Sequence, residues 1–210
     1  MLAAYDAQAN HFWFGSDDGR TANTTPTQIP LATQTLYWLS SEGLPDSGEQ
    51  GDGDHRRCLD WARTCLATTD NSLRVNASFK GSYAVSGVAC GSGSFSADVT
   101  QIMLFDDRFP KPDTNAVWFE GTAQLALALY LRNASHDRDR YAALLAEIRS
   151  AQEHLVDSGD SIGLHANSGG IVASSSATDT GFQYSYDRFL HIGATSWYLL
   201  AAMKRNPFRF

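Results

Sequence analysis

Apolar residues along this chain fall into two kinds of helical pattern. Cys58, Leu59, Trp61, Ala62, Cys65 and Leu66 stand at i, i+1, i+3, i+4, i+7 and i+8, with Arg56, Arg57, Asp60, Arg63 and Thr64 off that stripe. The spacing predicts an amphipathic helix with one face inward, and Asp54 is its expected N-cap. Tyr141, Leu144, Leu145, Ile148, Ala151 and Leu155 repeat the pattern after Asp137, while Glu147, Arg149, Gln152 and Glu153 fall away from it. The second kind is apolar on nearly every side: Ile29–Leu39, Gly121–Leu131 and Ile192–Met203 carry few polar groups and no charge. Pro30 is tolerable in a first turn. Helices of this kind, too short to cross a bilayer, sit inside a larger protein. In chain order the elements read buried, amphipathic, buried, amphipathic, buried. This predicts inner and outer helices in concentric layers, an all-α fold forming a single domain over residues 1–210.

The connections differ in length. Links from a buried to an amphipathic helix are short or moderate, over 133–140 and 40–53. Links in the other direction are long, over 68–117 and 158–191, and residues 1–28 precede the first buried helix in the same way. Long segments of this sort tend to carry function. In antiparallel helical pairs all three arrive at the N-terminal ends of the inner helices and meet on one face. The first long link is expected to hold short strands around Tyr83–Val88 and Val99–Phe105, punctuated by Gly81, Gly87, Gly91 and Gly93.

Each long segment joins acids to aromatics. The first carries Trp13, Phe14, Asp17 and Asp18; the second Asp106, Asp107, Asp113, Trp118, Phe119 and Glu120; the third Asp179, Phe182, Tyr184, Tyr186 and Asp187. Aromatic faces pack against the C–H surfaces of sugars, and carboxylates beside them bond hydroxyls. Paired carboxylates also supply the acid and base of glycosidic cleavage. The candidate catalytic groups are Glu120 with Asp106, Asp107 and Asp113; Asp179 is eligible as the partner acid too. The candidate sugar contacts are Trp13, Trp118, Phe119, Asp179, Tyr184, Tyr186 and His191. Glu120 stands where a long link enters a buried helix. Burial there raises its pKa, as a general acid requires, while the helix N-terminus lowers it. A deeply buried Glu120 is an acid, a wet one is a base or hydroxyl ligand, and a helix cap is the purely structural alternative. Gln124, one turn on, shares its face. His191 opens the last buried helix, placed for a sugar hydroxyl or for a structural hydrogen bond.

Composition narrows the partners. With 23 acidic against 16 basic residues the 210-residue chain has a net charge of -7, which disfavours nucleic acid and anionic membrane. No apolar run reaches the roughly 18 residues of a membrane span, and residues 1–6 lack a signal-peptide pattern. With 43% hydrophobic residues a soluble globular protein is expected. The three cysteines, Cys58, Cys65 and Cys90, read as core residues, and no spacing suits a zinc site or a bound cofactor. Nothing matches a Walker loop, a nucleophile elbow or a dinucleotide fingerprint.

Trp118-Phe119-Glu120-Gly121-Thr122-Ala123-Gln124 before an Ala/Leu helix, Thr180-Gly181-Phe182, His191 to Tyr198, and Asn206-Pro207-Phe208 together resemble the six-hairpin glycosidase superfamily. Ile29-Pro30-Leu31-Ala32-Thr33-Gln34-Thr35 opens a helix in a similar style. The resemblance spans about residues 10–208 and implies an α/α toroid that hydrolyses an oligo- or polysaccharide without a cofactor. A non-catalytic carbohydrate-binding or assembly module is the alternative. Two departures favour that alternative. The resemblance associates the position of Ala32 with Asp. Six hairpins also need twelve helices, whereas five are clear here and a sixth is conceivable over Ala3–Asn10. The chain therefore reads as a partial barrel resembling the C-terminal half, whose exposed inner helices predict self-association or a missing N-terminal half.

Overall fold

The computed structural model describes residues 5–16, 18–26, 28–41, 54–71, 83–95, 112–155, 169–180 and 185–209. In chain order they form β1 (Tyr5–Asp6), β2 (His11–Phe12), α1 (Leu31–Ser41), α2 (Arg57–Cys65), β3 (Ala67–Asn71), β4 (Ala84–Val88), α3 (Phe119–Arg132), α4 (Asp137–His154), β5 (Thr178–Asp179), β6 (Ser185–Tyr186) and α5 (Ile192–Ala202). A 3-10 turn at Ser92–Phe95 precedes α3.

The expectation of an all-α, toroid-like chain is overturned. Among the described residues, five helices alternate with three two-stranded antiparallel hairpins, so the fold is mixed α/β and no toroid is formed. Parts of the connecting segments, among them His11–Phe12, Val85 and Thr178–Asp179, are buried, and there every backbone N–H and C=O needs a partner. They find those partners in each other. In the largest hairpin Ala67 to Asn71 pair with Val88 to Ala84. Residues 5–10 give a strand and turn instead of a sixth helix. The expected strand at Val99–Phe105 lies outside the described residues.

The helix α3 is the axis of the fold and packs against α1, α2, α4 and α5. Its residues Gly121 to Leu129 are buried on all sides, as a helix without a polar face must be. It ends at Asn133, held in the left-handed region at φ 55°, which Asn tolerates. Arg132, with a side chain 4% exposed, then ties three elements together. Its guanidinium makes paired bonds of 2.8 and 2.9 Å to Asp137 on α4 and of 3.0 and 2.9 Å to Asp60 on α2. Burial opposes both charges, yet these bonds hold Asp137 below the usual carboxylate range and Arg132 above its ordinary value.

On α1, fully buried Gln34 serves as an extra strand partner: it accepts from Phe12 N and donates to Phe12 O, both at 2.8 Å. The expected N-cap Asp54 closes the turn before α2 instead, accepting from Arg56 N at 3.1 Å. Cys58 and Cys90 are core residues as expected, but Cys65 is exposed. The larger correction concerns α5. Only Ala194 and Ala201 are buried on it, while Ile192 is 85%, Leu199 52% and Met203 66% exposed. The pattern of α5 is that of an enclosed helix, but described elements cover one side of it. No helix among the described residues is long and apolar enough to cross a membrane.

Candidate functional site

The segment 171–178 positions the site. It runs antiparallel to the entry of α3, with Asp113 N bonding Ala177 O, Ser175 N bonding Val117 O and Phe119 N bonding Ala173 O. Its other edge holds the entry of α5, through Ala173 N to Phe189 O and His191 N to Ile171 O. The N-termini of α3 and α5 are thereby stitched side by side. Trp118 and His191 are the two N-cap residues, both extended. Glu120 lies in the first turn of α3, with Gly193 of α5 directly over it. A Cβ at Gly193 would run into Glu120 Oε2 and the His191 ring. A Cβ at Gly121 would collide with the Trp118 ring and Leu31, so the entry of α1 also closes on this point.

Glu120 has a 19%-exposed side chain. Gln124 Nε2 donates to its Oε1 at 3.2 Å, and Thr35 Oγ1 on α1 donates to Gln124 Oε1 at 3.0 Å. On the other side His191 Nδ1 lies 3.6 Å from Glu120 Oε2. The same Nδ1 accepts from Ala194 N at 3.2 Å, which places the proton of a neutral ring on Nε2. Burial pushes the Glu120 carboxyl above its ordinary value and the His191 imidazole below its own. Both therefore favour their neutral forms.

The β5–β6 hairpin completes the site. Tyr186 stacks on Trp118 with centroids 6.0 Å apart at 18°, and its ring is 5.4 Å from that of His191. Asp179, on the partner strand, is 6% exposed, and its backbone carbonyl accepts from Ser94 Oγ at 2.6 Å. Glu120 and Asp179 share one neighbour, the buried thiol of Cys90. Burial first, then the charges of Glu120 and Asp179, push that thiol up to about 12.

Of the residues named from sequence, Trp118, Glu120, Asp179, Tyr186 and His191 are assembled here. Phe119 is not: fully buried, it faces Val85, Val117 and Ile148 in the core behind the site. Asp113 accepts from Asn115 N at 2.9 Å and adds its charge to a different carboxyl, Asp70. Asp70 is fully buried on β3, and its Oδ2 accepts from Ser175 and Ser176 at 2.7 and 2.6 Å. Burial raises the Asp70 pKa, the two serines offset this in part, and Asp113 adds to it. Trp13 lines another groove, of about 680 Å³, with Phe14, Ala32, Tyr37 and Phe208. The lining of that groove includes none of Trp118, Glu120, Tyr186 and His191. Asp106, Asp107 and Tyr184 lie outside the described residues.

Sequence reasoning missed Thr35, Cys90 and Gly193 as site neighbours. The Thr35-to-Gln124 bond joins residues 89 apart, beyond any periodicity. Gly193, in an otherwise apolar helix start, was the one legible signal, because Gly there marks a close approach. Among the described residues no group of three His, Cys, Asp or Glu side chains is disposed to hold a metal ion. No family model, curated protein or solved structure matches the chain.

Proposed function

We propose that the chain cleaves glycosidic bonds, with Glu120 as proton donor and Asp179 as the second carboxylate. The observation that carries this reading is the state of Glu120. A partly exposed carboxyl, its pKa raised by burial, stands in the first turn after Trp118, which is 5% exposed and stacks on half-buried Tyr186, leaving Tyr186 as the ring that can meet a sugar. A protonated carboxyl delivers its proton to the leaving oxygen, while a second carboxylate activates water or attacks the anomeric carbon. Gln124 orients Glu120 through Oε1, and neutral His191 presents an Nε2 proton to a hydroxyl. The resemblance of residues 118–124 to the six-hairpin glycosidases points the same way. Saccharide binding without turnover is the second reading, favoured by the near-complete burial of Asp179.

Glu120→Gln tests the assignment. It keeps the volume and the bond to Gln124 while removing the titrating proton. In an assay of reducing ends released from a panel of polysaccharides, turnover is expected to fall by about 10²–10⁴-fold. In the unsubstituted protein, activity is expected to be lost as pH rises through the Glu120 pKa, since the proton is the reactant. That limb of the pH profile disappears in the variant. Unchanged turnover in Glu120→Gln removes the reading; saccharide binding with no turnover in either protein moves the site to the second one.

A further inference from the structure

The groove around Trp13 has a lining that includes none of Trp118, Glu120, Tyr186 and His191. Residues 13–16, Gly19, Arg20 and Ala22, the outward face of α1 and Phe208 line about 680 Å³, within the ~300–1,000 Å³ usual for small-molecule sites. Its walls hold exposed aromatic surface, with Phe14 49% and Phe208 45% exposed. The Trp13 ring is held edge-on by His11 at 4.4 Å and 88°. The loop is fixed by Asp18, whose carboxylate accepts from Arg20 N and Thr21 N at 2.8 and 2.7 Å and from Ser16 Oγ at 2.8 Å. These bonds turn the charge of Asp18 into its own loop.

Among the described residues Arg20 is the only charged side chain in the lining, and its guanidinium has no acidic partner among them. Among the described residues, a guanidinium with no acidic partner in the same lining as Trp13 stands out in a chain of net charge -7. Thr33 on α1 is also in the lining and carries a hydroxyl. Flat aromatic faces, hydroxyl partners and one cation select a ligand with an apolar ring face, several hydroxyls and one anionic group. A neutral sugar leaves Arg20 unused, and a purely hydrophobic acid leaves Thr33 unused.

We propose that this groove binds an acidic saccharide, with the C–H face of a uronic acid ring against Trp13 and its carboxylate on Arg20. The ring face and the charge follow from the groove itself; the choice of a saccharide rests on the reading of Glu120.

The test is equilibrium binding to the full chain carrying Glu120→Gln, followed by calorimetry, with trigalacturonate, neutral maltotriose and benzoate as probes. Trigalacturonate is expected to bind saturably, and about tenfold or more tighter than maltotriose, the worth of a hydrogen bond to a charged group. Arg20→Gln, on an exposed loop, is expected to abolish that preference and leave the melting temperature unchanged. Trp13→Ala is expected to weaken both saccharides, and Trp13→Phe to restore part of the loss. Equal binding of the neutral and acidic trisaccharides, or an acidic preference that survives Arg20→Gln, overturns the proposal. So does binding of benzoate alone. Turnover by Glu120→Gln at the unsubstituted rate would sink the catalytic reading while leaving this binding result to stand or fall by itself.

Discussion

At the scale of single residues, the chemistry depends on what presses on a carboxyl. Glu120 and Asp70 are both pushed toward the protonated form by burial, but Glu120 reaches solvent whereas Asp70 does not. Gly193→Ala probes the first. Its new Cβ would meet the ends of two side chains, Glu120 and His191, rather than backbone. The carboxylate is expected to give way, with a loss of about 10²-fold in turnover, the cost of roughly a 1 Å misplacement, and little change in melting temperature. Kinetics and a melt on the same preparation would check this. Asp70→Asn probes the second. A group whose folded pKa is raised stabilises the fold fully below its unfolded pKa and loses that contribution as pH rises through the folded value. Asn keeps an oxygen for Ser175 and Ser176 but does not titrate. Denaturant melts across this window are expected to show the stability of the unsubstituted protein falling relative to that of Asp70→Asn as pH rises, since the other carboxyls titrate alike in both. Parallel curves would show that Asp70 does not titrate there.

At the scale of elements, the turn from α3 to α4 is the joint most exposed to a single substitution. Arg132→Met leaves the buried Asp137 with only Arg140 at 3.4 Å and the Ala134 N–H as partners, which is expected to cost up to about 3 kcal/mol. Arg132→Lys keeps the charge but cannot form two forked pairs at once, so it rescues only part of the loss. The deficit is expected to shrink as pH falls through the depressed Asp137 pKa, because a protonated Asp137 no longer needs its partner. Urea titrations at neutral and acidic pH measure both effects. The elements themselves were largely legible. The five described helices overlap the two periodic stripes and the three all-apolar runs, and β4 lies within the expected Tyr83–Val88 strand. Its partner was not legible, because Ala-Thr-Thr-Asp-Asn directly follows α2 and has no alternation of apolar residues. The hairpin joins β3 to β4, whose Val85, Gly87 and Val88 are buried, and that burial is set by tertiary position.

At the scale of the whole molecule, α5 is the element whose environment departs most from its sequence. Ile192, Leu199 and Met203 follow one another on the helix at helical spacing and present an apolar stripe outward. Such a stripe is expected to bind a dye that reports exposed apolar surface. Leu199→Lys with Met203→Lys is expected to lower that signal sharply while changing stability by no more than about 0.5 kcal/mol per site, as at other exposed positions. A loss of cooperative folding in the double variant would show that the stripe is covered.

Local periodicity and backbone preference depend on neighbours in the chain, so sequence alone determined where the helices run, that α3 is enclosed, and that Trp118 and Glu120 open it. It also placed His191 at the start of α5. Whether a side chain is desolvated, and what it touches, depends on residues dozens of positions away. Tertiary structure alone therefore decided that Phe119 faces the core and that Asp113 belongs with Asp70. It separated Trp13 from Trp118, and it set Gly193 over the Glu120 carboxyl. The mixed fold has the same origin: apolar patterning specifies which segments bury a face, while the pairing of the segments between them is set by where the helices leave their ends.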